Sequence, residues 1–516
     1  MKKIKYKQLT LLLFASLVFV ATAQENRSPA SMEKMKLDWM WSKTSNAAGI
    51  KLDSVYKYSV LNAGYDIESG DFNRVMNGEK SKRLAFSTEG GVDVNKFYFW
   101  GKFNYSRDAI KDAMYNASII DPYRGMPYAV ADTNSSDWNN QHYELEFKIS
   151  LPKLNDRLSI GLDGQYHASL GAKQRDIRTE NYYMLLALRP GVVYSFNKNN
   201  HLGVNLEYYS IKEESKMGNV NVYVDQPFYQ LYGLGNATIG IGGGRTTNYI
   251  GNNLGGGVQY NYSGVVNLLL SGNYSVKVED AKISFTNPRK DGSVVDRVWN
   301  NKLLLNTKGR DYTHYFEMEY TQRGIKGIEY ITEYDDSESY QGYVTLDKNI
   351  RSTYNTKEAS VGYKWTKNKN REYVWLLGAG VSYLEFGDKY ILPFSSDNGK
   401  NAQFELLGRY NLIFKGNLNR RLLFDANFMI SNNLSGSYSY GGAFKEYPVN
   451  DKLVGRDNDF NNSEFWRAGM NVTYSQKVNS INNIHLYVKG GVLYAKANSF
   501  GFNNRKDLVI NIGCNF

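Results

Sequence analysis

From about Tyr56 to the end of the chain, apolar and polar residues alternate with a period of two, in runs of roughly ten to fifteen residues broken by turns. Tyr143, Leu145, Phe147, Ile149 and Leu151 interleave with Glu144, Glu146, Lys148 and Ser150, and Leu158, Ile160, Leu162 and Tyr166 with Ser159, Asp163, Gln165 and His167. Late in the chain, Leu422, Phe424, Ala426, Phe428 and Ile430 form one such face and Trp466, Ala468, Met470, Val472 and Tyr474 another. Period two is the signature of extended strands, whose successive side chains point to opposite faces. A helix needs apolar residues three and four apart, and long stretches of that kind are missing. The chain therefore reads as all-β.

The mean hydropathy of −0.51 would ordinarily suggest a water-soluble protein. A transmembrane barrel escapes that test, because each strand sets a polar lumen residue against every apolar lipid-facing one. The 42 tyrosines suit the aromatic girdles that mark the two membrane interfaces. Long and short connections also alternate. Short ones are expected at Val94 to Lys96, Lys153 to Arg157, Asn197 to Asn200, Ser263 to Gly264, Gly324 to Gly327, Lys367 to Glu372, Lys415 to Arg421 and Val478 to Asn483. Between them lie long ones at Asp108 to Asn139, Lys216 to Gly251, Asp280 to Lys308, Asp335 to Thr353 and Ser435 to Asn462. Outer-membrane barrels combine short periplasmic turns with long extracellular loops, so the expected fold is a transmembrane antiparallel β-barrel of about 18 strands. Counts of about 16 or 14 follow if a weak segment such as Ile328 to Tyr334 is loop.

Both ends carry export signals. Lys2, Lys3, Lys5 and Lys7 precede an apolar run from Leu9 to Val20 and then Ala21-Thr22-Ala23, the order of a secretory signal peptide cleaved after Ala23. The run is too short for a helix that must cross a hydrocarbon core with about 20 residues. At the other end, Leu508, Ile510, Ile512 and Phe516 share one parity and the chain stops on the aromatic. That arrangement resembles the C-terminal signal read by the barrel-assembly machinery. Cys514 falls on the same parity, which makes it a small lipid-facing residue. The expected organisation is a signal peptide over 1–23, a periplasmic or lumen-plugging segment over 24–54 and a barrel over 55–516.

Four of the eleven net positive charges sit in the leader and the rest are scattered, so nucleic acid is not an expected partner. A single cysteine excludes an intramolecular disulfide and cysteine-based zinc clusters. The expected surroundings are outer-membrane lipid and lipopolysaccharide. Catalytic motifs are absent: there is no Gly-x-Ser-x-Gly, no His-Glu-x-x-His and no phosphate-binding glycine loop, so no enzyme, cofactor or metal is expected. The lumen parity carries charges of both signs, Glu144, Glu146, Lys148, Asp163, Lys277, Glu317, Glu319, Arg409 and Arg467, which suits a salt-bridged wall better than an active site. His314 falls on the lipid-facing parity near a strand end, an interfacial position.

The segment before the first strand has its own character, with Trp39 and Trp41 ahead of Ser45-Asn46-Ala47-Ala48-Gly49-Ile50. Asn46 to Gly49 resembles the Asn-Pro-Ala-Gly hatch of the long-chain fatty-acid transporters, with Ala47 in place of the proline. The resemblance implies that Trp39, Trp41, Asn46 and Gly49 plug the barrel from inside. In style the whole mature chain resembles outer-membrane barrels of Bacteroidota that accompany TonB-dependent transport systems. A TonB-dependent receptor itself needs a plug domain far longer than residues 24–54. The expected function is a porin-like channel or transporter for small or amphipathic solutes. The alternative is an accessory barrel that binds a TonB-dependent transporter or a lipoprotein, and an outer-membrane hydrolase is the remotest reading.

Overall fold

A computed structural model describes the chain except residues 1–26, 54–56, 243, 338–340, 415–418 and 479–483. The signal peptide, part of the expected loop Asp335 to Thr353 and most of the expected turns at Lys415 to Arg421 and Val478 to Asn483 therefore lie outside the described residues. Eighteen antiparallel strands pair in chain order and close into a single barrel. The last strand, Asn504–Asn515, returns to the first, Tyr58–Gly70, in a register from Val60 opposite Asn515 to Gly70 opposite Arg505. Ser59 and Phe516 exchange both backbone hydrogen bonds at the seam, at 2.6 and 2.9 Å. Among the described residues the barrel sheet has no free first or last strand, which is what a β-structure in hydrocarbon requires, since lipid offers nothing to an unpaired N–H.

The alternation seen in the sequence becomes an inside and an outside. On Arg178–Ser195, Tyr182, Met184, Leu186, Leu188, Val192 and Tyr194 are exposed on the outer face, while Thr179, Asn181, Ala187 and Ser195 are buried within. Leu508, Ile510 and Ile512 likewise lie on the outside, more than half exposed, and Cys514 shares their parity, half-buried. Aromatic rings gather at the rim near the barrel's termini. Trp365 and Trp375 meet at 4.7 Å, Tyr312 packs on both, and His314 stacks on Trp365 while bonding the Tyr363 hydroxyl at 2.6 Å. These amphipathic rings fit an interface where one end is apolar and the other wet.

Connections 95–96, 196–199, 263–265, 309–311 and 370–371 join strands at the end that holds Tyr58 and Phe516, and 114–135, 219–244 and 440–464 all lie at the other. Three connections differ from the sequence reading. Gly324 to Gly327 is no turn; it lies inside the strand Tyr312–Asp335, paired on both sides, and Ile328 to Tyr334 continues that strand, paired from Tyr330 on with Gly342–Lys369 alone. Gly327 is small for another reason, since a Cβ there would meet the Ser352 hydroxyl at 2.2 Å and that of Tyr128 at 2.9 Å. The long loop expected over Asp280 to Lys308 is mostly strand, Val266–Ile283 and Arg289–Lys308, and Asp335 to Thr353 mostly begins the strand Gly342–Lys369. Here the ladder continues beyond the apolar belt with water outside, so residues such as Thr345, Asp347 and Lys348 carry the strand without apolar alternation.

Candidate functional site

Residues 27–53 lie inside the barrel at the end that holds its termini. Helix α1, Pro29–Asp38, starts where Ser28 accepts a hydrogen bond from Ser31 N–H at 3.2 Å, with proline in the first turn, where its missing N–H costs nothing. Short turns follow at Trp41–Lys43 and Ala47–Asp53. The Asp53 carboxylate ties them together by accepting the N–H groups of Met40 and Trp41, both at 2.9 Å, and of Ser42 at 2.8 Å. Burial outweighs these three donors and pushes the Asp53 carboxyl up to about 6.

The four residues singled out in this segment are all packed against the wall or each other. Trp39 is buried against Tyr58, and Trp41 donates its indole N–H to Asn261 at 3.2 Å. Gly49 lies so close to the Trp41 ring that a Cβ there would stand 2.1 Å from it. Asn46 is fully buried; its amide nitrogen reaches the carbonyls of Val192 and Val204 and the side chain of Gln259 at 3.1, 3.2 and 2.9 Å. Its amide oxygen accepts Ala48 N–H at 3.1 Å, which leaves none of this buried group unpaired. Three neighbouring wall strands make room for the segment with glycine. A Cβ on Gly191 would stand 2.2 Å from Asn46, on Gly161 2.3 Å from Ala48, and on Gly203 2.9 Å from Trp41.

Helix α1 closes the opposite side by polar contacts. Glu33 pairs with Arg409 and bonds the Tyr373 hydroxyl, Lys36 pairs with Glu89 at 2.7 Å, and Asp38 accepts from Tyr315 at 2.6 Å. Asp425 takes the other side of Arg409.

All nine charged residues expected in the lumen have side chains on the inner parity, but they do not form one cluster. Lys148 bridges Asp163 at 3.3 Å and the carbonyls of Ser42 and Thr44, so it joins wall to segment. Asp163 also pairs with Arg189 at 2.9 Å, Glu146 with Lys102 at 3.1 Å, and Glu144 accepts from Asn104. Lys302 stands between Glu317 and Glu319, and Lys43 of the segment lies 3.7 Å from Glu317. Lys277 sits apart, buried with Glu279 and Asp296, and Arg467 donates to the Met429 sulfur at 3.6 Å. Above α1, Glu317, Glu319, Ser360, Lys364, Gln403 and Glu405 border a cavity of about 300 Å³.

The sequence reading missed a second inward segment. Connection 114–135 folds back into the far half of the lumen, burying Tyr115, Ala117, Ile119 and Tyr128. Tyr128 lies over Gly292, where a Cβ would meet its ring at 2.3 Å. Arg124 reaches the wall and pairs with both Glu213 and Glu279, which are fully buried. Glutamates at lumen parity on two separate strands were the available signal, but only the loop's path shows that Arg124 reaches both. Residues 130–131 then pair with 227–233 and, through it, 236–241 in a small sheet of loops.

A closed antiparallel barrel with an apolar exterior and a polar, occupied lumen defines an integral membrane protein of the transmembrane β-barrel class. Residues 47–516 match the model of a family of unknown function, DUF6850, and the chain belongs to that family. No curated protein matches it. Among solved structures, it is similar to BauA, the ferric preacinetobactin receptor from Acinetobacter baumannii, with 9% identity over 89% of this chain and 80% of that one, at a TM-score of 0.41. The outer membrane transporter YddB from Escherichia coli gives 9% identity, 89% and 81% coverage and 0.40. The ferric citrate transporter FecA in unliganded form gives 8%, 89% and 78%, and 0.43. Likeness at this level carries no argument about function.

Proposed function

We propose that this protein is an outer-membrane channel or transporter for small or amphipathic solutes, held shut at its periplasmic end by residues 27–53. The supporting observation is the fit of that segment to the wall: Gly161, Gly191 and Gly203 on three successive strands leave space that Trp41, Asn46 and Ala48 fill. The test is conductance in planar bilayers of the intact protein and of one lacking residues 27–53. A pore in the shortened protein alone is the expected result, with heat-modifiable migration retained by both. Equal conductance would sink this reading.

One observation favours the accessory reading, in which the barrel binds a TonB-dependent transporter or a lipoprotein. Val220, Val222, Tyr223 and Val224 are exposed at the tip of connection 219–244, with Ile239 and Ile241 beside them, beyond the lipid-facing belt. Apolar clusters in water mark contact surfaces. Loss of a co-purifying partner on Val222→Asp with Tyr223→Ser, with conductance of the shortened barrel unchanged, would favour it.

A further inference from the structure

Ile325 on Tyr312–Asp335 and, two strands along the wall, Leu384 and Phe386 on Glu372–Tyr390 put apolar side chains on the inner parity at the extracellular half. They face Met76, Met126 and Leu453 of the inward connections across a cavity of about 380 Å³. That size and that lining are those of pockets that enclose small organic molecules. The polar groups of the same cavity leave one sign of charge unmatched. Arg74 is taken by Asp457 at 2.8 Å and lies on the Tyr123 ring, and Arg323 is taken by Asp296 at 2.8 Å and by the Arg124 carbonyl at 2.6 Å. Asp388 and Asp397 have no such partner: among the described residues no Lys or Arg nitrogen comes within ion-pair distance of either. They sit directly opposite each other on neighbouring strands, both on the inner parity. Asp397 is buried and accepts one hydrogen bond, from Asn458 at 2.5 Å, and Asp388 accepts one from Asn355 N–H at 3.3 Å.

Like charges directly across a strand pair are destabilising, and a low-dielectric surrounding strengthens the repulsion. A cation between the two carboxylates removes that cost. A bare metal ion would leave the apolar side of the cavity unused, and among the described residues no group of three His, Cys, Asp or Glu is placed to ligate one. We propose that this cavity binds a small amphipathic organic cation, its ammonium group between Asp388 and Asp397 and its apolar body against Leu384, Phe386 and Met126. The inference rests on the transport reading for the fate of the ligand, but not for its binding.

The probe is 2-phenylethylammonium, titrated calorimetrically into the full-length protein in detergent, with 2-phenylethanol and phenylacetate as the neutral and anionic analogues of the same body. Saturable binding of the cation, at least about tenfold tighter than of either analogue, is the expected result. Asp388→Asn and Asp397→Asn should each weaken the cation by about tenfold or more and leave the neutral analogue unchanged, while Phe386→Ala should weaken both. Heat-modifiable migration checks that each variant has assembled. Equal affinity for cation and alcohol, no saturable binding of the cation, cation binding unaffected by both asparagine variants, or displacement of the cation by sodium or magnesium with no contribution from Phe386 would each overturn the proposal. A shortened barrel that conducts while the intact protein fails to bind would remove the site and leave the transport reading. Binding without any pore would do the reverse.

Discussion

The barrel is entered from both ends by its own chain, and the two intrusions are held in different ways. Residues 39–53 dock by shape: the wall gives up side chains at Gly161, Gly191 and Gly203, and Trp41, Asn46 and Ala48 occupy the space with their polar atoms paired to wall carbonyls and amides. Residues 114–135 dock by charge as well as packing, with Arg124 spanning two buried glutamates on separate strands and Lys173 meeting Asp132 in a buried pair. A shape-matched contact fails gradually as groups are trimmed. A buried charge network fails abruptly when one member is lost, because the survivors stay buried without a countercharge. The extracellular intrusion is thus the more brittle of the two, and the periplasmic one is the better suited to leave and return.

The largest effect expected on that comparison comes from Arg124→Ala. It leaves Glu213 buried without a countercharge, while Glu279 keeps Lys277, and should cost about 3–5 kcal/mol of local stability. Hydrogen exchange should rise across 114–135 while residues 39–53 keep their protection; protection unchanged in both would erase the distinction between the two modes of docking. Gly191→Val comes next. Its side chain would enter the place of Asn46 and force about 1–3 kcal/mol of overpacking, or displacement of the segment. The expected readout is a cysteine placed at Ser45 becoming open to maleimide from the periplasmic side, with 114–135 unaffected. Should that cysteine stay protected, the glycines would not be what admits the segment.

The smallest effect is on pH. The Asp53 carboxyl is pushed up to about 6 in the docked segment, so that form holds its proton more tightly than the released one, where the ordinary value is about 4. Docking is therefore strongest below about pH 4, weakens as pH rises to about 6 and is level above that. On the transport reading, brief openings of the intact barrel should be rarer at the acid end of this window, and Asp53→Asn should flatten the dependence. Openings that grow more frequent on acidification would show that the three N–H donors outweigh burial at this carboxylate.

Much of this was written in one dimension. The alternation at Tyr143 to Leu151 and at Leu508 to Phe516, the short turns and the long connection at 114–135 give strands, parity and the two ends of the barrel, because period two and the contrast between lipid and lumen are local properties of each strand. The inner parity of the nine charged residues follows from the same alternation. Where the strand ran past the membrane, as at Arg289–Lys308 and Gly342–Lys369, the outer face met water and the local signal vanished, so these stretches looked like loops. Gly327 looked like a turn for a related reason: a glycine that clears space for Tyr128 and one that bends the chain are the same letter.

By itself, then, the sequence determined that this chain forms strands, which side of each meets lipid, and that an aromatic-rich segment precedes the barrel. Only the tertiary structure decided what fills the lumen. Register brings Gly161, Gly191 and Gly203 into one patch from separate places in the chain, and the return of 114–135 sets Arg124 between Glu213 and Glu279. Such contacts join residues far apart in sequence through closure of the whole barrel, and no local pattern carries that information.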